Sequence, residues 1–428
     1  MVTKKNITHQ LLDELSKVSG KNKIISFDKI GNALKRLETH GLPNSRSENY
    51  KYFNVEAILK KGFTMLSQPL TPLESKIFSA NGFQNALQLV TINGAPQDFL
   101  PPALPSLQFK SSSNDDSDSE IYTATASDDK LRDPFADLNT VFSDRGYSLV
   151  FRAGMKVEKY IILHHFTASA STSFCNARNF ISVEEGAEAT LVEIFHPSEG
   201  SFFNNLHTSI KLERDSKLNH IVVQNPGDNS CIVSRNLGEL GGAARYRNFT
   251  FSLGGRALRN NLDVALNDVS AHADLFGVSL ATGEGIIDQH TTVHHLSAHC
   301  SSSELYKGIA SGKSTCVFNG RIYVAKHAQK TDAYQSSKNI LVSESASVYA
   351  KPELEIYAND VKCSHGTSTG KLDTHALFYL KSRGIGEENA RRLLLQAFTR
   401  DITSQIGAAE ITTYIERAIS ESLDIFSQ

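Results

Sequence analysis

Short runs that alternate apolar and polar residues fill the sequence from about residue 146 to residue 361. Alternation with a period of two is typical of β-strands, because successive side chains of a strand point to opposite faces. Gly, Asn, Asp and Ser interrupt the runs about every eight to twelve residues, and scarcely any helical period occurs among them. The segment therefore predicts an all-β body, with its clearest runs at Ile181–Val183, Ala189–Ile194, Thr208–Leu212, Leu218–Val223, Arg245–Leu253 and Arg259–Leu266.

An all-β body with so many short strands is a sandwich, a barrel or a solenoid. Roughly 200 residues of short strands is long for a single sandwich. The runs also continue without large loops, which favours a stacked β-helix whose coils bury one another. No strict repeat period is visible in the sequence.

Helical patterns flank the β body on both sides. Residues 7–40 predict two short helices, and Gly41, Leu42 and Pro43 end the second. After Gly370, residues 387–402 and 408–426 predict two amphipathic helices. The predicted apolar faces are Leu11, Leu12, Leu15 and Val18; Ile30, Leu34 and Leu37; Ala390, Leu393, Leu394, Ala397 and Phe398; and Ile411, Ile415, Ala418, Ile419 and Leu423.

The 428 residues exceed the usual size of a single core, roughly 250–300 residues, so several folded regions are expected. Ser111–Ser119 carries only polar and acidic side chains and has no apolar surface to bury. We predict an N-terminal helical and mixed region at 1–110, an acidic serine-rich loop and connector at 111–132, a β-helix core at 133–366 and a C-terminal helical domain at 367–428.

Charge and cysteine usage exclude several classes of partner. A formal net charge of -2 provides no electrostatic reason to bind nucleic acid or an anionic membrane. The sequence has no signal-peptide apolar region and no apolar run of about 18 residues. Five cysteines without CxxC spacing fit a reducing cytosol, so we expect a cytoplasmic protein: Cys175, Cys231, Cys300, Cys316 and Cys363.

Four histidines fall between residues 289 and 300. In an extended strand His290 and His294 lie on one face, and His295 and His299 lie on the opposite face. Because zinc needs three or four converging ligands, the segment offers two pairs rather than one complete site, and we name His290 and His294 as a secondary candidate. The structural alternative is a set of imidazoles stacked between coils and hydrogen-bonded to neighbouring Thr and Ser.

Cys363 and His365 stand one residue apart at the end of the β body. In extended backbone this spacing puts a thiol and an imidazole on one face, where both can bind the same metal or sulfur species. Two ligands are fewer than a metal site usually needs. We therefore hypothesise that a second subunit completes the site, and Gly366 permits another backbone to approach closely.

The signatures of common enzymes are absent from the sequence: it has no phosphate loop, no nucleophile elbow, no HExxH and no dinucleotide fingerprint. Two enzyme interpretations remain as alternatives. A carbohydrate-active β-helix enzyme needs a cleft of carboxylates and usually an export signal. A metal hydrolase would use His290, His294 and His299.

The stretch from Ile286 to Phe398 resembles the SufB/SufD family of iron–sulfur cluster assembly proteins. The resembling pieces are IDQHTTVHHLSAHCSS, LYKGIA, VFNGRIYVAKHAQKTDAYQSSKNILVSESA, KPELEIYANDVKCSHGTSTGKLD and LFYLKSRGI. GLPNSRSENYKY at 41–52 is similar to the family's N-terminal motif, and DPFADLN at 133–139 to the start of its core. SufB-type members carry a glutamate after the histidine of the KCSHG motif, whereas Gly366 stands here, so the SufD branch is the closer match.

The resemblance implies a right-handed parallel β-helix between an N-terminal α/β region and a C-terminal α-helical region. It implies a non-catalytic scaffold subunit with two partners: SufB, paired through the β-helices, and SufC, an ABC-type ATPase that docks on the C-terminal helices. Leu393, Leu394 and Phe398 are the residues that we assign to SufC docking. A homodimer of the isolated chain is the alternative assembly.

The resemblance also implies that nascent clusters form at the junction with SufB. His365 is the position that matches the family's contributing histidine, and Cys363 lies beside it. A transient iron–sulfur cluster or iron is expected at that interface, and reduced flavin is expected only at the level of the complex. No nucleotide or other cofactor site is expected on this chain.

Overall fold

The alternating segment folds into two long sheets that receive successive strands in turn. The computed structural model describes residues 25, 27–43, 47–55, 58, 64–65, 83, 86–97, 107–112, 133–156, 159–167, 173–198 and 200–424. The strands are β1 (Thr64–Met65), β2 (Ala86–Ile92), β3 (Ala95–Pro96), β4 (Leu107–Ser111), β5 (Tyr147–Phe151), β6 (Tyr160–Phe166), β7 (Ser173–Val183), β8 (Glu188–Phe195), β9 (Phe202–Leu212), β10 (Lys217–Gln224), β11 (Cys231–Leu240), β12 (Arg245–Leu253), β13 (Ala257–Leu266), β14 (His272–Ala281), β15 (Ile286–His295), β16 (Ser301–Ala310), β17 (Thr315–Val324), β18 (Thr331–Leu341), β19 (Ser347–Ile356) and β20 (Val361–Gly370). All six runs singled out in the sequence lie within these strands.

From β5 onward the odd-numbered strands form one sheet, called sheet 1, and the even-numbered strands form the other, called sheet 2. Neighbouring strands are parallel, except that β4 pairs antiparallel with β5 and β3 with β2. Apolar side chains from both sheets share one core between them. The chain is thus a parallel solenoid of about seven coils, which confirms the predicted parallel β-helix.

Successive coils stack residue on residue. Arg245 pairs with His272, and Ser301 pairs with Asp332. Cys231 pairs with Ala257 and Thr315 with Ser347, so one coil takes 26 to 32 residues, within the range of known solenoid repeats. This variable length explains why no strict period is visible in the sequence.

The division of the chain into four segments stays a prediction. Four strands of the described chain that precede residue 133 belong to the two sheets, β1 and β4 to sheet 1 and β2 and β3 to sheet 2. At the other end, β20 continues the β-helix to Gly370. The acidic serine tract lies outside the described residues from residue 113 onward.

The N-terminal region covers part of the outer face of sheet 1. It contains helix α1 (Phe27–His40), a short 3-10 helix (Glu48–Tyr50) and helix α2 (Pro134–Phe142). Helix α1 confirms the second predicted helix, and it ends at Gly41, whose φ of 69° is easily adopted by glycine. The first predicted helix lies outside the described residues. The apolar contacts of this region join Leu37, Tyr50, Phe53, Phe135, Leu138 and Phe142 to Phe174, Phe203 and Val233 of sheet 1.

Three helices follow the last strand: α3 (Thr374–Ser382), α4 (Glu387–Thr403) and α5 (Ala409–Asp424). Helices α4 and α5 confirm the two amphipathic helices, whereas α3 was not predicted from the periodicity. Helices α4 and α5 pack on an apolar stripe on the outer face of sheet 2. The stripe contributes Ile162, Val192, Ile221, Phe249 and Phe276 to a shared core, and the helices contribute Leu395, Ile402, Ile411, Ile415, Ile419 and Leu423.

The predicted apolar face of α4 is partly buried and partly exposed. Ala390 is buried, but Leu393 is 44% exposed, and the deeper contacts come from Leu395 and Ile402. The side-chain ammonium of Lys307 donates to the carbonyl of Phe398 at 2.6 Å. The side of α4 that packs against sheet 2 is therefore rotated about the helix axis relative to the face that the apolar spacing predicts.

The interior of the solenoid is apolar along most of its length and polar at one side. Gln224 donates to the Asn260 side-chain oxygen at 2.8 Å, and Ser252 donates to the Gln224 side-chain oxygen at 2.9 Å. Gln289 in turn donates to Ser252 at 3.0 Å. These buried side chains thus act as hydrogen-bond donors and acceptors for one another. A buried polar group without such a partner would destabilise the folded protein.

Glycines inside the strands make room for large side chains of the next coil. Gly277 pairs with Tyr306, and a Cβ at Gly277 would lie 2.3 Å from the Tyr306 ring. The ring cannot easily move, because it stacks on Phe318 across the interior with 4.7 Å between the ring centroids. The size of each interior residue is therefore set by its neighbour in the adjacent coil.

Glu193 is a buried carboxylate with a complete set of partners. His165 and His220 each place Nε2 2.7 Å from a carboxylate oxygen, and Tyr147 donates at 2.9 Å. Burial alone would raise the pKa of Glu193, but the hydrogen bonds from the two histidines outweigh it and hold that pKa well below its ordinary value.

Glu304 is also buried in the interior but has no cationic partner among the described residues. Thr291 donates to one carboxylate oxygen at 2.6 Å, and Gln335 donates to the other at 3.3 Å. Burial outweighs these two hydrogen bonds and raises the pKa of Glu304 to about 7.

We predict that Gly277→Ala destabilises the protein by about 1–3 kcal/mol, because overpacking against Tyr306 must displace the ring or the backbone. Gly370→Ala is the matched control, since Gly370 is also in a strand and a Cβ there would meet nothing within 4 Å. Thermal melting of both variants measures the difference. Equal melting temperatures would contradict the close packing at Gly277.

Glu304→Gln should stabilise the protein at alkaline pH. The folded protein binds a proton at Glu304 more tightly than the unfolded chain does, so stability falls as pH rises from about 4.5 through about 7. The variant removes a cost on the order of 3 kcal/mol above pH 7, and the gain vanishes below about pH 4.5. Thermal melting at pH 4.5 and pH 8 measures the change in stability, with Glu284→Gln at an exposed position as control. A gain in melting temperature that does not depend on pH would contradict the raised pKa of Glu304.

Candidate functional site

The β-helix has an open end formed by its last two strands. β19 pairs only with β17, and β20 pairs only with β18. The outer edges of β19 and β20 therefore present backbone N–H and C=O groups without a neighbouring strand in the described chain. An edge of this kind is a template for pairing with another chain.

The structure brings Cys363 and His365 onto one face of β20 at this open end, as their spacing predicts. Cys363 pairs in register with the buried Ala333, and His365 pairs with the buried Gln335. Both side chains therefore continue columns of interior residues to the point where the stack of coils stops. Cys363 is half-buried and His365 is exposed.

Cys363 differs from the other four cysteines, which are all buried. Burial and the nearby Asp332 carboxylate raise the pKa of the Cys363 thiol, and the backbone N–H of Ala333 opposes them. The thiol is therefore mainly protonated at neutral pH. A cation that binds beside it favours the thiolate.

His365 has no hydrogen-bond partner within the described part of the chain. The next residue, Gly366, is open, since a Cβ there would meet nothing within 4 Å. The imidazole thus lies at a surface that another molecule can reach. An imidazole nitrogen and a thiolate sulfur are both ligands that iron accepts.

His290 and His294 lie elsewhere, on the outer face of sheet 1, whereas Cys363 and His365 face the interior side of sheet 2. The structure does not bring the two pairs together. His290 places Nε2 2.8 Å from an Asp288 carboxylate oxygen. Burial and the Arg259 guanidinium lower the pKa of His290 despite this carboxylate.

The expected placement of His299 is wrong. β15 ends at His295, and His299 lies in the following turn with a φ of 61°. His295 faces the interior, where its Nε2 lies 2.9 Å from the Ser302 hydroxyl, as the structural alternative predicted. No three or more His, Cys, Asp or Glu side chains of the described residues come together as a metal-binding group.

A groove of about 1030 Å³ runs between the N-terminal region and the outer face of sheet 1. Its charges are paired within the chain: Arg235 contacts Asp133 at 3.1 Å and Asp263 at 2.9 Å. The other cations along it form ion pairs as well, namely Arg259 with Asp288, Arg321 with Glu355, and Lys351 with Glu48 and Glu353. Two of these pairs, Arg235 with Asp133 and Lys351 with Glu48, join the N-terminal region to the β-helix.

The C-terminal helices present an exposed apolar patch. Phe378 and Tyr379 of α3 are 74% and 56% exposed, and Leu393 of α4 lies at the surface with them. Leu394 is half-buried, and Phe398 packs against sheet 2 with its ring 4.5 Å from the Lys307 ammonium. The sequence did not identify Phe378 and Tyr379 as surface residues, because the spacing of apolar residues in α3 does not show which side chains pack against the rest of the protein.

Removal of the Asp332 charge should make Cys363 more reactive. Asp332→Asn lowers the thiol pKa, so alkylation by iodoacetamide at pH 8 should accelerate roughly two- to threefold at low ionic strength. Asp360→Asn is the matched control, because Asp360 directly precedes β20 but forms an ion pair with Lys330. An unchanged rate in Asp332→Asn, or equal acceleration in both variants, would contradict the assigned cause.

Two family sequence models match the chain. The SufBD core domain of the SUF system for FeS cluster assembly matches residues 165–398, and the SufBD protein N-terminal region matches residues 28–163. These matches span the two sheets, helix α3 and most of helix α4. Among the described residues, no helix has the length and apolar character needed to cross a membrane.

Curated relatives agree with the family models. The chain is 29% identical over 377 residues to the iron–sulfur cluster assembly protein SufD of Escherichia coli, with 87% of each chain covered. It is 26% identical over 430 residues to a SufBD family protein of Synechocystis, with 96% of this chain and 94% of the relative covered. It is also 31% identical over 267 residues to the chloroplastic protein ABCI7 of Arabidopsis thaliana, with 60% and 56% covered. The chain therefore belongs to the SufBD family of iron–sulfur cluster assembly proteins.

Proposed function

We propose that this chain is a non-catalytic, cytoplasmic scaffold subunit of a SUF complex. It pairs with a SufB-type subunit at the open end of the β-helix and docks a SufC-type ATPase on its C-terminal helices. The observation that carries the proposal is the placement of Cys363 and His365, which lie on the interior side of β20 and become accessible because the stack of coils stops there. The relatives' names point to cluster assembly, and the open end supplies a place for it.

The seam between two subunits would complete the coordination of incoming iron. Cys363 and His365 supply two ligands, and iron–sulfur clusters usually need four. The unpaired edges of β19 and β20 can bind a partner strand through backbone hydrogen bonds. Iron is cargo in this scheme, and its charge favours loss of the Cys363 proton as it binds.

The C-terminal patch supports docking of the ATPase. Phe378, Tyr379 and Leu393 are exposed apolar side chains on α3 and α4, and a partner that covers them would bury apolar surface. Phe398 has a different role, because its carbonyl and ring both contact Lys307 of β16. ATP hydrolysis by the partner would strain α4, and the contact between Phe398 and Lys307 would transmit that strain from α4 to sheet 2.

Reduced flavin remains a prediction for the complex, and we assign no residue of this chain to it. The groove on sheet 1 does not fit a flavin phosphate. Its arginines and Lys351 are already paired with carboxylates of the same chain. A further anion would have to displace those partners.

We predict that His365→Ala lowers cluster formation about tenfold or more while the complex still assembles, because one iron ligand is lost. Ser364→Ala is the matched control on the opposite face of β20. Anaerobic reconstitution of the co-purified complex, followed by iron and sulfide analysis, measures the effect. Normal cluster yield in an intact His365→Ala complex would remove this residue from the mechanism.

Co-purification tests the scaffold role itself. We expect the tagged chain to retain SufB-type and SufC-type subunits, and Phe378→Ser with Leu393→Ser to release only the ATPase. Purification of the chain as a self-sufficient hydrolase would instead support an enzyme. A homodimer that excludes the SufB-type subunit would contradict the proposed pairing.

A further inference from the structure

One interior column of sheet 2 leads from the buried core to the candidate site. Leu275, Glu304, Gln335 and His365 occupy the same position in four successive strands, because each pairs in register with the next. Leu275 is apolar, and the three residues that follow it toward the open end are polar. Glu304 and Gln335 are 2% and 3% exposed, so both polar side chains are fully enclosed.

The amide of Gln335 is held in one place. Across the interior lies Gly320, where a Cβ would be 2.2 Å from Gln335 Nε2 and 2.7 Å from its Cδ. The missing side chain of Gly320 thus makes the space that the amide fills. A glycine opposite a buried amide indicates a site built around that amide rather than a gap in the packing.

Glu304 determines which way the Gln335 amide faces. An ionised carboxylate only accepts hydrogen bonds, so it draws the amide nitrogen toward itself at 3.3 Å. The Gln335 oxygen is then left for another donor. That oxygen is buried and has no hydrogen-bond partner among the described residues.

The next residue of the column is His365, whose ring carries an N–H donor. A buried acceptor without a partner costs roughly 1–3 kcal/mol, and a carboxylate without a cation adds a further cost. Leu275 shows that an apolar residue fits the same column one coil earlier. Stability therefore does not explain the pair Glu304 and Gln335.

We propose that Gln335, oriented by Glu304, is a positioning residue: when the exposed imidazole of His365 turns toward it, the Gln335 oxygen accepts a hydrogen bond from one ring nitrogen. The other ring nitrogen then faces the open end with its lone pair available to iron. Histidines that bind metals usually donate their second N–H to an acceptor of this kind, which selects the tautomer. The inference rests on the proposed function of His365 as an iron ligand.

The tautomer of His365 tests the positioning directly. The full-length protein is labelled with ¹⁵N-histidine, and its ring nitrogen shifts are recorded at pH 8, where Glu304 is ionised; the His365→Ala spectrum assigns the signals. We expect one dominant tautomer in the parent protein and a mixture in Gln335→Met, which keeps the volume but lacks the acceptor. Ser337→Ala, one interior position further along β18, is the control and should leave the tautomer unchanged.

A second variant gives an opposite and more specific result. In Glu304→Gln the new amide can donate to the Gln335 oxygen, so the Gln335 amide turns and presents its nitrogen to His365. The dominant tautomer of His365 should then invert. This variant is nearly isosteric, so it remains informative if Gln335→Met does not fold.

Binding of Fe(II) to the complex with the SufB-type subunit provides the functional readout. We expect Gln335→Met to weaken it roughly 10- to 100-fold. A tautomer mixture in the parent protein, or identical spectra in the parent, Gln335→Met and Glu304→Gln, would overturn the inference even if His365→Ala abolishes cluster formation. Full cluster formation in His365→Ala would instead refute the proposed function, while the tautomer result would stand by itself.

Discussion

The parallel register between coils is the constraint on which the rest of the structure depends. Each interior side chain lies directly over its counterpart in the next coil, so size and polarity must match along columns that run the length of the β-helix. Gly277 beside Tyr306 is a consequence of this rule, and Gly320 opposite Gln335 shows the same matching of size across the interior between the two sheets. In each case the large side chain fits because the facing residue is glycine, which has no side chain.

The same rule explains why the candidate site lies at an end. Within the stack every column is closed by the next coil, which buries its side chains and satisfies its backbone. At β20 no further coil follows in the described chain, so the columns that end in Cys363 and His365 stop at a surface. The last strand of a regular β-helix can thus place side chains such as a thiol and an imidazole at a surface, where another molecule can reach them.

Much of the fold could be predicted from alternation, because strands with one buried face leave that pattern in any sequence. The outcome for particular residues depended on neighbours far along the chain. Leu393 was predicted on one apolar face of its helix together with Ala390 and Phe398, and it is the exposed part of that face, since sheet 2 contacts Leu395 and Ile402 instead. His299 was expected in a strand but lies in a turn, because nothing local marks where β15 ends.

The sequence by itself determined the strand pattern, the helical flanks and the shared face of Cys363 and His365, since these depend on residues close together in the chain. Only the tertiary structure decided which columns those residues complete. Glu304, Gln335 and His365 are about 30 residues apart, the length of one solenoid coil, and no local pattern links them. They become neighbours only because the coils stack in register.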